Sequence, residues 1–329
     1  MDSPAYLITG GTGSFGQAFV KYLLDQENPP SRLVIYSRDE LKQYEMQQRF
    51  PKDKYPCIRY FIGDVRDLPR LTMAMRGITH VVHAAALKHV PIAEYNPFEA
   101  VATNIVGTEN VVRACLAAGV QRAILLSTDK AASPTNLYGA TKLAAERIFV
   151  AANALGPTRF AVVRYGNVLG SRGSVIPLFK RLISEEATSL PITHLDMTRF
   201  WLTLDYGVKF VGKIMHGSSI MAGGEVFIPK IYSARMVDLA DALAPGIATH
   251  IVGLRPGEKV HETLITADES HYTDCHKGYY VITPNFPDII SFERNGEPLT
   301  PGHWYASNVN SMALNALALS QWLKAEGIL

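Results

Sequence analysis

One run constrains this chain more than any other: the apolar stretch 6–9 leads straight into TGGTGSFG, which sets Gly10, Gly13 and Gly16 at three-residue spacing where a strand should turn into a helix. Glycines there permit a tight turn and close backbone approach, and a helix opening at Ser14 and Phe15 points free N–H groups at whatever lies before it. A pyrophosphate satisfies those groups, so the run predicts a dinucleotide-binding α/β fold rather than a merely structural glycine-rich turn.

The pattern downstream agrees. Residues 6–9, 32–36, 58–62, 80–84, 123–127 and 160–164 read as short strands apolar on both faces, as in a sheet covered on both sides. Between them, 15–25, 40–50, 68–75, 97–118 and 137–154 carry apolar residues at three- and four-residue spacing, the period of crossover helices. The expected fold is a doubly wound parallel sheet, with a cofactor-binding Rossmann domain over 1–166 that also carries the reactive residues. Beyond Gly166 the alternation fades; helices are expected at 176–185, 205–216 and 235–243, in a smaller lobe over 167–329 with chain crossings between the two allowed.

Charge and cysteine usage narrow the function classes. Lys plus Arg exceed Asp plus Glu by only 32 to 30, so no bulk field gathers nucleic acid or an anionic membrane, and any phosphate must be met locally. Cys57, Cys115 and Cys275 form no CxxC pair, which argues against a disulfide framework or zinc site. No basic-flanked leader opens the sequence and no apolar run nears the ~20 residues that span a bilayer. A soluble cytoplasmic enzyme without metal is expected.

The second strand ends in YSRDELK rather than in the acidic residue that takes an NAD ribose hydroxyl. Ser37, Arg38 and Lys42 suit a 2′-phosphate, which favours NADP; the alternative is that Arg38 and Lys42 are solvated helix charges and Asp39 takes the ribose. Asp64 and Val65, in FIGDV, are expected to border the adenine, and Ala84, Ala86 and Lys88, after the fourth strand, to line the cofactor.

The fifth strand delivers STDKAASPTNLYGATK, in which Tyr138 and Lys142 share one helix face. A lysine ammonium one turn from a phenol lowers its pKa and holds the nicotinamide ribose, leaving the tyrosine able to take a proton from a substrate hydroxyl. That accounts for hydride removal from a carbinol but not for Thr128, Asp129 and Lys130. An adjacent acid and amine at a strand's carboxyl end supply one group to protonate a leaving hydroxyl and another to remove a carbon-bound proton; the bland alternative is a surface ion pair.

At these residues the chain resembles the extended short-chain dehydrogenase/reductases, and closely the inverting UDP-N-acetylglucosamine 4,6-dehydratases of pseudaminic acid biosynthesis. The resemblance is carried by TGGTGSFG, YSRDELKQ, AALKHVPIAEYNPFEA, STDKAASPTNLYGATK, RYGNVLGSRGSVIP, MTRFW and GLRPGEKVHE, over roughly residues 5–270, and weakens beyond about Asn285. A similar membrane-bound group that retains C5 configuration usually has methionine where this chain has Tyr138.

The resemblance implies a lyase in which Tyr138 deprotonates the 4-hydroxyl as C4 is oxidised, Lys130 removes the C5 proton, Asp129 protonates the departing 6-hydroxyl, and tightly bound NADP is recycled within each turnover. Lys130 can be that base only if its pKa falls well below the free value of ~10.4, through burial or through Lys142 or Lys88; otherwise it stabilises the enolate as a cation. For the UDP-sugar the resemblance points to Lys88, Thr128, Asn167, Arg172, Arg199 and Arg255, each arginine being open to a structural reading, with Glu258 binding a ribose hydroxyl or orienting Arg255. It also implies a homo-oligomer, a dimer or assembly of dimers, through the helices 97–118 and 137–154. The rival readings are a nucleotide-sugar 4-epimerase, which needs no Asp129 or Lys130, a retaining dehydratase, and a non-catalytic NADP-binding scaffold.

Overall fold

The structure, a computed structural model, describes residues 3–170, 174–217, 220–284 and 295–329. The first half alternates strand and helix: β1 (Ala5–Thr9), α1 (Ser14–Leu24), β2 (Arg32–Ser37), α2 (Glu40–Arg49), β3 (Ile58–Ile62), α3 (Leu68–Ala74) and β4 (His80–His83). There follow α4 (Val90–Tyr95), α5 (Pro97–Val101), α6 (Gly107–Ala118), β5 (Arg122–Thr128), α7 (Leu137–Ala151) and β6 (Arg159–Tyr165). The β-branched and aromatic runs form strands because helices on both faces keep them from water: all five residues of β1 and the last six of β6 are buried.

The second half holds β7 (Asn167–Val168), α8 (Val175–Ser184), β8 (Ser189–Ile192), β9 (Thr198–Leu202), α9 (Leu204–His216), β10 (Val226–Pro229), β11 (Tyr232–Arg235) and α10 (Met236–Leu243). After these come β12 (Ala248–Ile251), β13 (Thr263–Ile265), β14 (Thr273–His276), β15 (Tyr279–Ile282), β16 (Glu297–Pro298), β17 (Tyr305–Ala306) and α11 (Ala316–Ala325).

The main sheet runs β16-β14-β15-β10-β6-β5-β4-β1-β2-β3, parallel from β10 to β3. The doubly wound expectation therefore holds, and the order reverses between β1 and β4, the point where such sheets open a ligand crevice. The chain crosses the expected boundary at 166: β10 pairs with β6, and β14–β16 extend the sheet with antiparallel strands. A smaller core around Leu169, Met197, Trp201, Leu239 and Leu319 belongs to the second lobe.

The expected helix over 97–118 is interrupted. Residues Ala102–Val106 form a π-turn, and there buried Asn104 accepts from the Leu87 N–H at 2.8 Å and donates to Leu87 O at 2.9 Å and Thr141 Oγ1 at 3.0 Å. A side chain bonded at both ends to other segments favours the wider turn, and it ties the loop after β4 to α7. Among the described residues no helix is long and apolar enough to cross a membrane.

Candidate active site

The cradle at the switch point is compressed. Gly10 has φ +64°, and a Cβ there would lie 2.9 Å from the Ala85 backbone; one on Gly16 would lie 2.5 Å from Gly11 O. Gly13, the N-cap of α1, donates to Gly10 O at 2.9 Å and offers no side-chain cap, so the N–H groups of the first turn, beginning at Ser14, face the crevice without an internal acceptor. Phe15 stacks on Phe19 at 5.5 Å and anchors that turn. On the far wall the Ala84 N–H donates to Thr9 O at 3.2 Å and Ala86 is half-buried. A glycine-walled gap with helix amides at one end fits a dinucleotide.

At the end of β2 the polar groups are partly engaged. Ser37 Oγ accepts from Gln43 Nε2 at 3.0 Å. Asp39 caps α2, accepting the Lys42 N–H at 3.0 Å, and pairs with Lys42 Nζ at 2.7 Å, so its carboxyl is held below the usual range. Arg38 stays half-exposed, 3.4 Å from Asp64. Partial burial works against the Asp64 carboxylate, but Arg66 at 2.7 Å outweighs it and lowers the pKa. Val65 is buried, and its carbonyl accepts from Asn110 Nδ2 at 3.0 Å.

The run after β5 folds back so that α7 lies on its own strand's exit. A Cβ on Gly139 would sit 2.2 Å from Lys130 O, so only glycine lets the first turn of α7 rest on that carbonyl and bring Tyr138 alongside Thr128 and Lys130. Asn136 caps the helix, accepting the Gly139 N–H at 2.8 Å. The Thr128 hydroxyl donates to Asp129 Oδ1 at 3.0 Å, and the Tyr138 phenol is close enough to feel the charges of Asp129 and Lys130. Lys130 Nζ donates to that same oxygen at 3.0 Å. Asp129 is fully buried and its Oδ2 has no partner. The sequence-chosen Thr128, Asp129, Lys130 and Tyr138 thus form one cluster rather than a surface ion pair.

One electrostatic expectation is corrected, and one left open for Lys130 is narrowed. Tyr138 is not lowered by Lys142: burial pushes the phenol up to about 12, opposed chiefly by the Lys130 charge. Lys142, 3% exposed, donates instead to Leu126 O at 2.7 Å, and burial, only partly offset by Glu146, brings its own pKa down to about 8. Nor is Lys130 pulled down. Burial favours its neutral form, but Asp129 and Glu262 on either side outweigh burial and raise it, while burial raises Asp129. In this arrangement Lys130 is an ammonium and Asp129 carries the weakened acidity of a general acid.

The second lobe closes over this cluster. Gly257 O accepts from Thr135 Oγ1 at 3.0 Å and Asn136 Nδ2 at 2.8 Å, and Lys259 Nζ donates to Ala132 O at 2.8 Å. Arg199, 6% exposed on β9, fills NH1 with the carbonyls of Thr198 and Val260, while NH2 makes a single 3.4 Å contact with Glu258 and keeps donor capacity. Glu258 also accepts the Arg255 N–H at 3.3 Å, so it orients that turn's backbone, and the Arg255 side chain is exposed. Asn167 opens β7, paired with Trp201 of β9, and is half-buried. Lys88 is exposed, with partial desolvation lowering its pKa. Arg172 lies outside the described residues.

Sequence reasoning missed Glu262 and Lys259. Glu262 is 2% exposed, 3.2 Å from Lys130, 3.6 Å from Lys259 and 3.9 Å from Arg199. In GLRPGEKVHE the residue types single out Arg255 and Glu258; that its end returns to the STDKAASPTNLYGATK run is a long-range contact that no local spacing reports.

Comparison with known proteins agrees with this geometry. The polysaccharide biosynthesis protein family matches residues 6–284. A Campylobacter jejuni protein named UDP-N-acetylglucosamine 4,6-dehydratase (inverting) is 54% identical over 317 residues, 93% of each chain. A Rickettsia akari protein named UDP-glucose 4-epimerase is 38% identical, covering 86% of this chain and 84% of its own. Among solved structures, Pen from Bacillus thuringiensis superposes with a TM-score of 0.89 at 36% identity, covering 100% of this chain and 99% of its own. Sheet order, glycine cradle and catalytic run converge on one conclusion: the chain belongs to the polysaccharide biosynthesis protein family, on the extended short-chain dehydrogenase/reductase fold.

Proposed function

We propose that the chain is a C5-inverting UDP-N-acetylglucosamine 4,6-dehydratase using NADP, a lyase that makes a 2-acetamido-2,6-dideoxy-4-hexulose for pseudaminic acid or a similar glycan sugar. The observation that carries this reading is the meeting of Tyr138 with the Asp129–Lys130 pair at the end of β5. One site then holds a phenol for a hydroxyl proton together with an acid and an amine for an elimination. A 4-epimerase, the reading the rickettsial relative favours, has use for Tyr138 and Lys142 only. The identity to the Campylobacter protein and Tyr138 in place of the retaining group's methionine support the inverting outcome.

When bound, the nicotinamide supplies a reversible hydride acceptor. Gly10, Gly13 and Gly16 and the start of α1 hold its pyrophosphate, Arg38 and Lys42 support a 2′-phosphate, and Lys142 meets its ribose. Tyr138 takes the 4-hydroxyl proton, and the resulting ketone acidifies C5. Asp129 gives a proton to the departing 6-hydroxyl and Lys130 takes the C5 proton, which requires Lys130 first to give up the one it holds. The proton lost from the 4-hydroxyl balances the one C5 receives from the opposite face. Arg199, Arg255, Asn167 and Arg172 are the groups we assign to UDP, with Lys88 and Thr128 toward the sugar.

We extend the proposal to place and assembly. Three cysteines without disulfide partners support a reducing cytoplasm. Tyr95 and Phe98, 87% and 86% exposed on α4 and α5, support self-association through that face.

Proton NMR of UDP-N-acetylglucosamine incubated with the protein in D₂O tests the function. A C6 methyl signal with deuterium at C5 is expected, and the ring couplings report inversion. A UDP-N-acetylgalactosamine signal in its place would make the chain an epimerase.

A further inference from the structure

Glu262 comes from the second lobe, yet its carboxylate is buried against the catalytic run. Oε1 is 3.2 Å from Lys130 Nζ, while Oε2 faces Lys259 Nζ at 3.6 Å and has no hydrogen-bond partner. On the other side of Lys130, Asp129 is buried with one oxygen likewise unpartnered. Unsatisfied buried carboxylate oxygens are costly, and two flanking one amine cannot be read as ordinary packing.

We propose that Glu262 is a positioning residue of the elimination: its buried carboxylate fixes the Lys130 ammonium in place and sets how readily the proton on Lys130 moves to Asp129. The proposal rests on the dehydratase reading.

Moving one proton across the 3.0 Å Lys130–Asp129 hydrogen bond breaks an N–H bond and forms an O–H bond, turning ammonium and carboxylate into amine and carboxylic acid. Those are the two groups an elimination needs. The amine takes the C5 proton, the acid protonates the C6 oxygen, which leaves as water, and the pair returns to ammonium and carboxylate. Burial favours the neutral pair, whereas Glu262 opposes it by holding the charge on nitrogen. Lys259 and Arg199, facing Glu262 from the other side, weaken that hold, and Tyr138 is the remaining titratable group whose charge interacts with Lys130. Because Glu262 follows Lys259 and the Val260 carbonyl that Arg199 grips, the seating of the second lobe controls the proton's position in the first.

The test uses the full-length protein as wild type, Glu262→Gln and Glu262→Asp. Competitive acetylation by acetic anhydride, read on the Lys130 peptide by mass spectrometry, reports how much of that amine is free; its side chain is 21% exposed. Glu262→Gln should raise Lys130 labelling at pH 9 about tenfold, a drop of roughly one pH unit in its midpoint, and Glu262→Asp should restore most of the wild-type value. The acid limb of the dehydration rate, where the pair sheds its second proton, should also move to lower pH when followed by the C6 methyl signal, with the KM for the UDP-sugar unchanged. Unaltered labelling in a Glu262→Gln protein with wild-type circular dichroism overturns the proposal. Altered labelling with an unmoved pH profile also overturns it, because the charge coupling then has no part in the reaction. A wild type that makes no methyl product while labelling responds to Glu262→Gln overturns the dehydratase reading instead, and Glu262's role in catalysis with it.

Discussion

Lys142 carries a charge that burial makes costly, at a position proposed to meet the cofactor. It is 3% exposed, and one hydrogen bond to Leu126 O does not restore the hydration an ammonium loses on burial, so its pKa falls to about 8. The sign follows directly: below that pKa the folded state bears the cost of a buried charge, and the cost fades as pH rises from about 8 toward the unfolded value of ~10.4. Lys142→Met should therefore raise the neutral-pH stability of the protein by about 1–3 kcal/mol in denaturant titrations, with the gain shrinking above pH 9, while abolishing turnover. Loss of stability in Lys142→Met at pH 7 would mean that the hydrogen bond outweighs desolvation. Tyr138 has the same origin: burial raises its phenol and the Lys130 charge opposes that rise, so the base role proposed for it would depend on positive charge beside it.

At the scale of elements, loops between strand and helix set the site, and their geometry turns on backbone contact. The α1 entry is held by Gly16 lying on Gly11, where a Cβ would stand 2.5 Å from backbone atoms that cannot swing aside. Gly16→Ala should push α1 away from β1 and weaken binding of a nicotinamide dinucleotide at least about tenfold by fluorescence titration, with far-ultraviolet circular dichroism little changed. Unchanged binding would show that the α1 amides are not the pyrophosphate site. Such local features were readable in advance: strands β1–β6, helices α1, α2 and α7, and the cluster of Thr128, Asp129, Lys130 and Tyr138 all follow from periodicity and spacing within a few dozen residues. The π-turn at Ala102–Val106 was not, because its cause is Asn104 reaching Leu87 and Thr141 in other segments. Glu262 and Lys259 escaped for the same reason, as did β14–β16, which join the sheet through the long-range pairing of β15 with β10.

At the scale of the molecule, the two lobes are joined by buried charge. Arg164 on β6 donates to Glu146 of α7 at 2.6 and 3.1 Å and to Glu269 at 2.9 and 3.0 Å, and also to Leu264 O at 2.9 Å. Removing one member strands the others, so Arg164→Ala should destabilise the fold by about 3–5 kcal/mol in a thermal or urea melt. Burial works against the Glu269 carboxylate, but Arg164 outweighs it and holds the pKa below the ordinary value. This contribution is therefore present above the unfolded pKa of ~4.3 and lost as pH falls through the lower folded value, so the acid limb of the wild-type stability curve should flatten in Arg164→Ala. An unaltered acid limb would assign it to other carboxylates. The same region carries β13 and the segment that ends in Glu262, so the brace also fixes how the second lobe meets the catalytic run.

One site is proposed to oxidise C4, eliminate across C5 and C6, and reduce C6. UDP-N-acetylglucosamine deuterated at C4, turned over with NADP in ordinary water and read by deuterium NMR, tests it most directly. The deuterium should appear in the C6 methyl group of a 4-keto product. Deuterium found only at C4 of a recovered or epimerised sugar, with no methyl signal, would contradict it.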